Sequence, residues 1–377
     1  MSNGPIMSAV PELSIIVATY QRPRSLRLCL ASIARQSIAG PRIEVVVADD
    51  GSVDDTANVV EQFRRTVGFP VEFTTHAHHD FQAGRCRNDG VRASRAPYLL
   101  FVDQDCVLPP DHARVHLAQR QSNTVCGSDA YRLTQTASQR LLDHGDVDAT
   151  PVVPLRERWR VGRDHLDARV NWLLRNPNRP RLAGSDIGMW RSDFERVNGF
   201  DHKFSRWGGD DDDLRLRLRQ AGVTIRSIRN LTATWHLWHP PAPTKPTRWK
   251  DGPNVHYLQR RFRLTRCLDG LTSRQVADLS IRVRNPQSRE SLIAMIGPAR
   301  PGSSSTADRV DAECLCLPGP DGFTGNADCN VLILTDHVEQ PPLREAHILV
   351  TDRDDVVWRG GPRLRIAECA RIWEQLR

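Results

Sequence analysis

Four groups of residues in this chain have the types and spacings that chemistry needs. Asp103-Gln104-Asp105 follows the apolar run Tyr98-Leu-Leu-Phe-Val102. On an extended chain, side chains at i and i+2 point the same way, so two carboxylates can share one divalent cation or one sugar nucleotide. Such a pair alone is a weak signal, because it recurs by chance in loops. Its place at a strand end, together with Asp49-Asp50-Gly51-Ser52 at another, strengthens it. The third group is Trp207-Gly-Gly-Asp-Asp-Asp-Asp-Leu214. Acidic residues suit a solvated helix N-terminus in any protein. Here two glycines allow a sharp turn and a close backbone approach, and Leu214 and Leu218 anchor the following helix. Four adjacent carboxylates raise one another's pKa while the helix terminus lowers it, which can leave one of them a usable general base. The fourth group is His236-x-x-His239. Imidazoles beside a carboxylate, with positions left for water, suit Mn²⁺, with Mg²⁺ as the harder-ligand alternative. His76-x-His78-His79-Asp80 reads as loop chemistry rather than a metal site, and Cys314-x-Cys316 with Cys329 lacks an evident fourth ligand.

The elements that must position these residues alternate between two periods. Leu13–Ala18, Ile43–Ala48, Val71–Thr75 and Tyr98–Val102 are short apolar runs suited to strands. Pro23 can sit in a first helical turn, and Leu26, Leu30 and Ile33 follow at helical spacing until Gly40-Pro41. Val60, Phe63 and Val67 give the next helix its buried face, and residues 83–95 form a third. Strand–helix–strand repetition with short links predicts an α/β domain whose parallel sheet binds ligands at its C-terminal strand ends. Those ends carry the acidic pairs. Residues 134–180 read as a less regular insertion; regular structure resumes at Arg181–Trp190, with helices over 192–198 and from about Gly209 to Gln220. Pro240, Pro241, Pro243 and Pro246 break the chain, and strand-like runs return at 330–334 and 347–351. The Gly/Ser-rich stretch 297–305 reads as a linker or loop, and there is no internal repeat.

The whole-chain balance excludes several classes. Of 377 residues, 39% are hydrophobic and 26% charged, which is globular rather than disordered. No apolar stretch approaches the roughly 18 residues a bilayer-spanning helix needs, and the N-terminus does not read as a signal peptide. A soluble chain without stable membrane insertion is expected. The net charge of +7 comes almost wholly from scattered arginine, since Lys203, Lys245 and Lys250 are its only lysines. With no dense basic tail and no aromatic-interleaved stripe, nucleic acid is not an expected partner. Nine cysteines without a CxxC pair read as reduced thiols of a cytoplasmic protein.

Taken in order, these residues resemble the family 2 glycosyltransferases of the GT-A fold, over Leu13 to about Pro240. Ser14-Ile-Ile-Val-Ala-Thr-Tyr20 with Arg22-Pro23 resembles the opening strand and loop, and Val47-Ala-Asp-Asp-Gly-Ser-Val-Asp-Asp-Thr56 the uridine-binding turn. Ala83-Gly-Arg-Cys-Arg-Asn88 resembles the Ala-Arg-Asn helix start, and Phe101-Val-Asp-Gln-Asp105 the DxD strand. Asn198-Gly-Phe-Asp201 with the Trp207-Gly-Gly-Asp run resembles an acceptor-side motif shared with chondroitin-polymerase-type and β-1,4-galactosyltransferase-type enzymes. The resemblance implies a mixed, mostly parallel sheet flanked by helices over residues 1–260, with residues 261–377 a C-terminal α/β extension of unknown fold and role. It implies that Thr19, Arg22, Asp50 and, less directly, Asp49 hold the nucleotide with Arg87, that Asp103 meets ribose or donor sugar, and that Asp105 ligates metal, completed by His236 or His239. Asp211 is the implied catalytic base, with Trp207, Gly208, Asp210 and Asp212 around the acceptor. The family usually has Glu-Asp where this chain has Asp210-Asp211.

The implied reaction is an inverting, metal-dependent transfer of one sugar from a nucleoside-diphosphate sugar, in the first instance a UDP-sugar, to a hydroxyl of a small-molecule, glycan or peptide acceptor. The family's processive synthases carry membrane helices and a QxxRW-type segment, and this chain shows neither. A methyl- or nucleotidyl-transferase on another doubly wound sheet would leave the Trp-Gly-Gly-Asp run and the His pair without a task. A non-catalytic sugar-nucleotide-binding protein is the alternative of a different class.

Overall fold

The structure is a computed structural model that describes residues 10–365 apart from 39–41, 149, 175, 177–181, 183, 243, 276–277, 285–299, 302–308, 318–322, 335–341, 352–353, 355 and 357. Gly40-Pro41, Arg181, Pro243 and most of 297–305 therefore lie outside the described residues. The chain divides into two compact units, residues 1–258 and 259–377.

The first unit begins with the expected alternation. β1 (Leu13–Thr19), α1 (Pro23–Ala34), β2 (Ile43–Asp49), α2 (Thr56–Arg64), β3 (Val71–Thr75), α3 (Ala83–Ala93) and β4 (Tyr98–Asp103) follow one another. They continue into β5 (Cys106–Val107), α4 (His112–Gln119), β6 (Thr124–Gly127), β7 (Ala130–Arg132), α5 (Gln135–His144), α6 (Leu155–Leu173), β8 (Asp186–Trp190), α7 (Arg191–Arg196), α8 (Asp210–Gln220), β9 (Thr224–Ser227), β10 (Thr234–His236) and α9 (Val255–Leu258). The main sheet has the order β3-β2-β1-β4-β8-β6-β9. β1, β2, β3 and β4 pair in parallel, whereas β8 is antiparallel to both β4 and β6. Every residue of β2 is buried, as the unbroken apolar run predicts for a strand covered on both faces. Helices α1 and α2 close one face over Leu26, Leu30, Val60 and Phe63. Register places Thr19 beside Asp49 and Ala18 beside Asp103, so the acidic strand ends share one rim. A second, three-stranded sheet, β5-β10-β7, sets His236 opposite Cys106, one residue from Asp105.

The expected irregular insertion at 134–180 is instead largely helical, as α5 and α6. The reason it escaped the periodicity is visible in α6. Of its 19 residues only Glu157, Val161 and Ala168 are buried, while Trp159, Leu166, Val170 and Trp172 are exposed. Its apolar residues mark no inward stripe.

The second unit is a parallel sheet in the order β12-β11-β13-β14-β15-β16, from β11 (Ser280–Arg284), β12 (Arg300–Pro301), β13 (Val310–Leu317), β14 (Ala327–Leu334), β15 (Ile348–Thr351) and β16 (Arg363–Leu364). Cys314, Cys316 and Cys329 pack in its core with Val331 and Ile348, and among the described residues they join no metal-ligand cluster. The eight described cysteines are all buried thiols. No helix among the described residues is long and apolar enough to cross a membrane.

Candidate active site

The turn after β1 is held in an unusual backbone state. Gln21 and Arg22 both have positive φ, 52° and 56°, in the left-handed region that side chains disfavour. The Gln21 N–H donates to Ser52 Oγ at 2.6 Å, tying this turn to the Asp49-Asp50-Gly-Ser turn. Gln104 locks the same rim from the other side, since Thr19 Oγ1 donates to its side-chain oxygen and its amide donates to the Tyr20 carbonyl at 2.9 Å. The outcome is a cleft of about 830 Å³ at the C-terminal strand ends, bordered by Thr19, Arg22, Asp50, Arg87, Asp103, Asp105, Trp207, His236 and His239. That volume falls within the range of small-molecule and cofactor sites.

Asp49 does not line this cleft. Its carboxylate accepts from Ser52 N–H and Oγ at 2.8 and 2.5 Å and from Thr75 Oγ1 at 2.8 Å, so it ties the turn to β3. Asp50 faces the cleft, steadied by His76 Nε2 at 2.9 Å and by the Gln82 N–H at 3.3 Å. His76 also contacts Asp89 at 2.8 Å, and His78 stacks on Tyr20 at 4.2 Å between ring centroids. These loop histidines thus shape the rim, and among the described residues they form no metal-ligand group.

The two carboxylates of Asp103-Gln104-Asp105 part company, because β4 ends at Asp103 and the next two residues turn. They do not share one partner as an extended chain would require. Asp103 Oδ1 accepts from Arg87 at 2.8 Å. Asp105 instead faces the histidines, with His236 Nε2 at 3.5 Å from Oδ1 and His239 Nε2 at 3.2 Å from Oδ2. Arg22 Nη1 lies 3.4 Å from the same Oδ2. Burial alone would raise the Asp105 pKa, but His239, His236 and Arg22 hold it below its ordinary value. Both histidines therefore stand beside Asp105, with ligand atoms of all three within 4.8 Å of one another. Asp105 Oδ1 is buried without a hydrogen-bond partner, and His239 Nδ1 lies 2.6 Å from the Pro240 carbonyl, leaving Nε2 turned to the carboxylate. A carbonyl on the far ring nitrogen is the arrangement that orients ligating histidines, so this donor set fits a divalent ion such as Mn²⁺.

Arg87 joins this side to the acidic helix start. Its Nη1 lies 3.5 Å from Asp210 and 3.9 Å from Asp211, and its guanidinium sits 5.4 Å from the Phe200 ring centroid. Burial works against the Arg87 charge, but Asp103, Asp211 and Asp210 outweigh it and raise its pKa. The loop into α8 turns through Gly208 and Gly209, at φ 91° and 95°, and Asn254 pins it by donating to the Ser205 and Gly208 carbonyls. Asp211 Oδ2 accepts the Gly184 N–H at 2.9 Å, while its Oδ1 has no hydrogen-bond partner. Burial first, then the charge of Asp210, pushes Asp211 well above the ordinary carboxylate range; Arg87 and the Gly184 N–H oppose this without cancelling it. Asp210 is raised too, by burial, against the pull of Arg87.

The remaining carboxylates of the run have partners along their own helix. Asp212 is 3.3 Å from Arg215, one turn on. Asp213 is fully buried and paired with the equally buried Arg217 at 2.6 Å. Asp213→Asn is therefore expected to lower stability by about 3–5 kcal/mol, by removing the charge paired with a buried guanidinium. Denaturant titration checks this, and an unchanged midpoint would contradict it.

The sequence matches the model of glycosyl transferase family 2 over residues 14–191 and that of the N-terminal domain of galactosyltransferase over residues 168–240. Residues 14–191 are a family 2 glycosyltransferase domain. Its relatives include validoxylamine A glucosyltransferase of Streptomyces hygroscopicus subsp. limoneus, 27% identical over 239 residues, which are 59% of this chain and 51% of that protein. Chondroitin synthase of Escherichia coli is 24% identical over 357 residues, 88% of this chain and 49% of the relative. This chain thus spans about half the length of these two relatives. A solved mannosyltransferase of Pyrobaculum calidifontis, in complex with GDP-Man and Mn²⁺, aligns at a TM-score of 0.44 with 17% identity, over 64% of this chain and 59% of its own.

Among the residues that sequence reasoning missed are Gln104 and Gly184, which hold others of the site in place. Gln104 sits between the two carboxylates and could have been suspected from that place alone. Gly184 offers no such signal. A Cβ at this position would stand 2.2 Å from Asp211 Oδ1, so only glycine allows the carboxylate to reach the backbone there. Gly184→Ala is expected to displace Asp211 and cut turnover at least tenfold with little change in donor affinity. Steady-state kinetics with nucleotide titration check it, and wild-type turnover would contradict it.

Proposed function

We propose that this chain transfers a single sugar, with inversion, from a nucleoside-diphosphate sugar to an acceptor hydroxyl, with a UDP-sugar as the first donor to test. The observation that carries the reading is Arg87. One buried guanidinium contacts Asp103 on the rim with Asp105 and His239, and Asp210 and Asp211 on the opposite motif. A donor lying along Thr19, Asp50 and Asp103 would present its anomeric carbon between these two sides. A glucosyltransferase among the relatives supports sugar transfer, and the likeness of the Asp49-Asp50-Gly-Ser turn to a uridine site supports the choice of nucleotide.

In this reading Asp105, His236 and His239 hold Mn²⁺ or Mg²⁺, which supplies positive charge for the departing diphosphate. Arg22 adds a second cation on the same side, and Trp207 with Asp210 borders the acceptor. Asp211 takes the proton from the acceptor hydroxyl as that oxygen forms its bond to the anomeric carbon and the bond to the diphosphate breaks. One displacement inverts the centre, so an α-linked donor gives a β-glycoside. The raised pKa of Asp211 strengthens it as a base and sets the sign of the pH response. Transfer should rise with pH as Asp211 loses its proton. The acceptor is a hydroxyl of a small molecule, glycan or peptide, and the buried thiols support a cytoplasmic setting.

The catalytic role belongs to residues 1–258 in this reading. Phe262, Leu264 and Leu268 pack with the second unit's core, so the useful cut lies at Leu258. A chain ending at Leu258 is expected to fold and bind UDP in the presence of Mn²⁺, as calorimetry would show. Insolubility of that chain under conditions where full length is soluble would contradict the division. For the full chain, calorimetry with UDP and GDP, with and without Mn²⁺, tests the donor side. Metal-strengthened binding of one nucleotide is the expected result, and no binding of either would sink the proposal.

A further inference from the structure

The first unit holds a second cluster of metal-ligating side chains, away from the cleft. α4 carries His112 and His116 one turn apart, so both rings leave the same helix face. Asp186 opens β8, and all three side chains are fully buried. His112 Nε2 and His116 Nε2 lie 3.0 and 3.1 Å from one and the same oxygen, Asp186 Oδ1. A purely hydrogen-bonded cluster leaves a deficit at the carboxylate, because Asp186 Oδ2 is buried with no hydrogen-bond partner. Buried polar atoms without partners are rare enough to call for a cause, and a bound ion is one of the established ones.

We propose that His112, His116 and Asp186 form a structural metal site for a zinc-class divalent ion. Two imidazoles and a carboxylate are among zinc's usual donors, and bonds of about 2.0–2.1 Å in a tetrahedral site separate ligands by roughly 3.3 Å, close to the spacing seen here. Asp186 Oδ2, idle in the hydrogen-bonded arrangement, gives the carboxylate a second oxygen to offer the ion, and the three side chains are its protein ligands. With both Nε2 atoms on the ion, each Nδ1 carries the ring proton. His112 Nδ1 then donates to Thr232 Oγ1, 2.7 Å away, an outer bond that fixes the ring. The sheet is also shaped for His116, since a Cβ at Gly188 would stand 2.4 Å from its Nδ1. Asp186 lies two residues beyond Gly184, whose N–H holds Asp211, so the ion would fasten the strand that positions the base. Full burial means that the ion enters during folding and resists chelators afterwards.

The test uses the full chain, both as purified from zinc-supplemented cells and after refolding from guanidinium with zinc. Each sample is dialysed against EDTA and its metal measured by mass spectrometry. About one zinc per chain is expected in wild type and in Asp105→Ala, falling below about a tenth in His116→Ala and Asp186→Asn. Should those variants fail to fold, wild type refolded with zinc is expected to melt several degrees above wild type refolded with EDTA. Wild type that holds no zinc in either preparation overturns the site. So does zinc that Asp105→Ala abolishes, or that Asp186→Asn leaves unchanged, or equal melting of the two refolded samples.

Discussion

Replacing Asp211 with Asn is expected to slow sugar transfer by about 10²–10⁴-fold with little change in donor affinity. The amide keeps the carboxylate's shape and can still accept the Gly184 N–H, but it accepts no proton near neutral pH. The same change should stabilise the fold. A carboxylate whose folded pKa lies above its unfolded value favours the folded state while protonated. For Asp211 that contribution is fully present below the unfolded carboxylate pKa and is lost as pH rises through the raised folded one. Asp211→Asn never acquires the charge, so its melting temperature should exceed wild type at pH 8 by more than at pH 4. Asp210→Asn should chiefly raise the acceptor KM. Kinetics and melting curves for the two variants, run side by side, check both claims. Equal, small kinetic losses would make the run an acidic helix cap and place the base elsewhere.

Asp105→Ala is expected to abolish turnover nearly completely and to weaken nucleotide binding only when metal is present. The carboxylate is buried and stands between His236, His239 and Arg22. Its loss removes the anionic member of the donor set and leaves Arg22 and the two imidazoles facing one another. Two imidazoles with no carboxylate beside them hold a divalent ion weakly, and without that ion the departing diphosphate loses several kcal/mol of stabilisation, by an order-of-magnitude estimate. Nucleotide titrations of wild type and variant, with Mn²⁺ and with chelator, separate the metal's part from the fold's. Full activity of chelator-treated wild type would remove the metal from the mechanism.

Much of the fold was legible because the first hundred residues keep their periods. β1, β2 and β4 are apolar runs buried on both sides, and α1 and α2 show their buried residues at helical spacing. α6 was not legible, since few of its side chains face inward and its apolar residues lie largely in the open. The site divides in the same way. Residues at strand ends, such as Asp50, Asp103 and Asp105, follow from the register of a parallel sheet. Neighbouring residues on a strand point to opposite sides, so adjacency could not tell that Asp50 meets the cleft while Asp49 ties down the turn. Asp213 shows the limit of reading four like residues as one feature, because its buried pair with Arg217 is a matter of packing. Gly184 matters only because an antiparallel strand brings the segment before it against α8. No local pattern announces that.

The most direct test of sugar transfer is release of nucleoside diphosphate from a panel of UDP- and GDP-sugars, with Mn²⁺ and with chelator. Wild type, Asp105→Ala and Asp211→Asn are compared at matched donor occupancy. Wild type is expected to release nucleotide from at least one donor, and chelator or Asp105→Ala to abolish that release. Asp211→Asn is expected to cut it by about 10²–10⁴-fold while still binding donor. Release that survives in Asp211→Asn at the wild-type rate, or donor binding by wild type without release in the presence of any hydroxyl acceptor tried, would contradict the assignment.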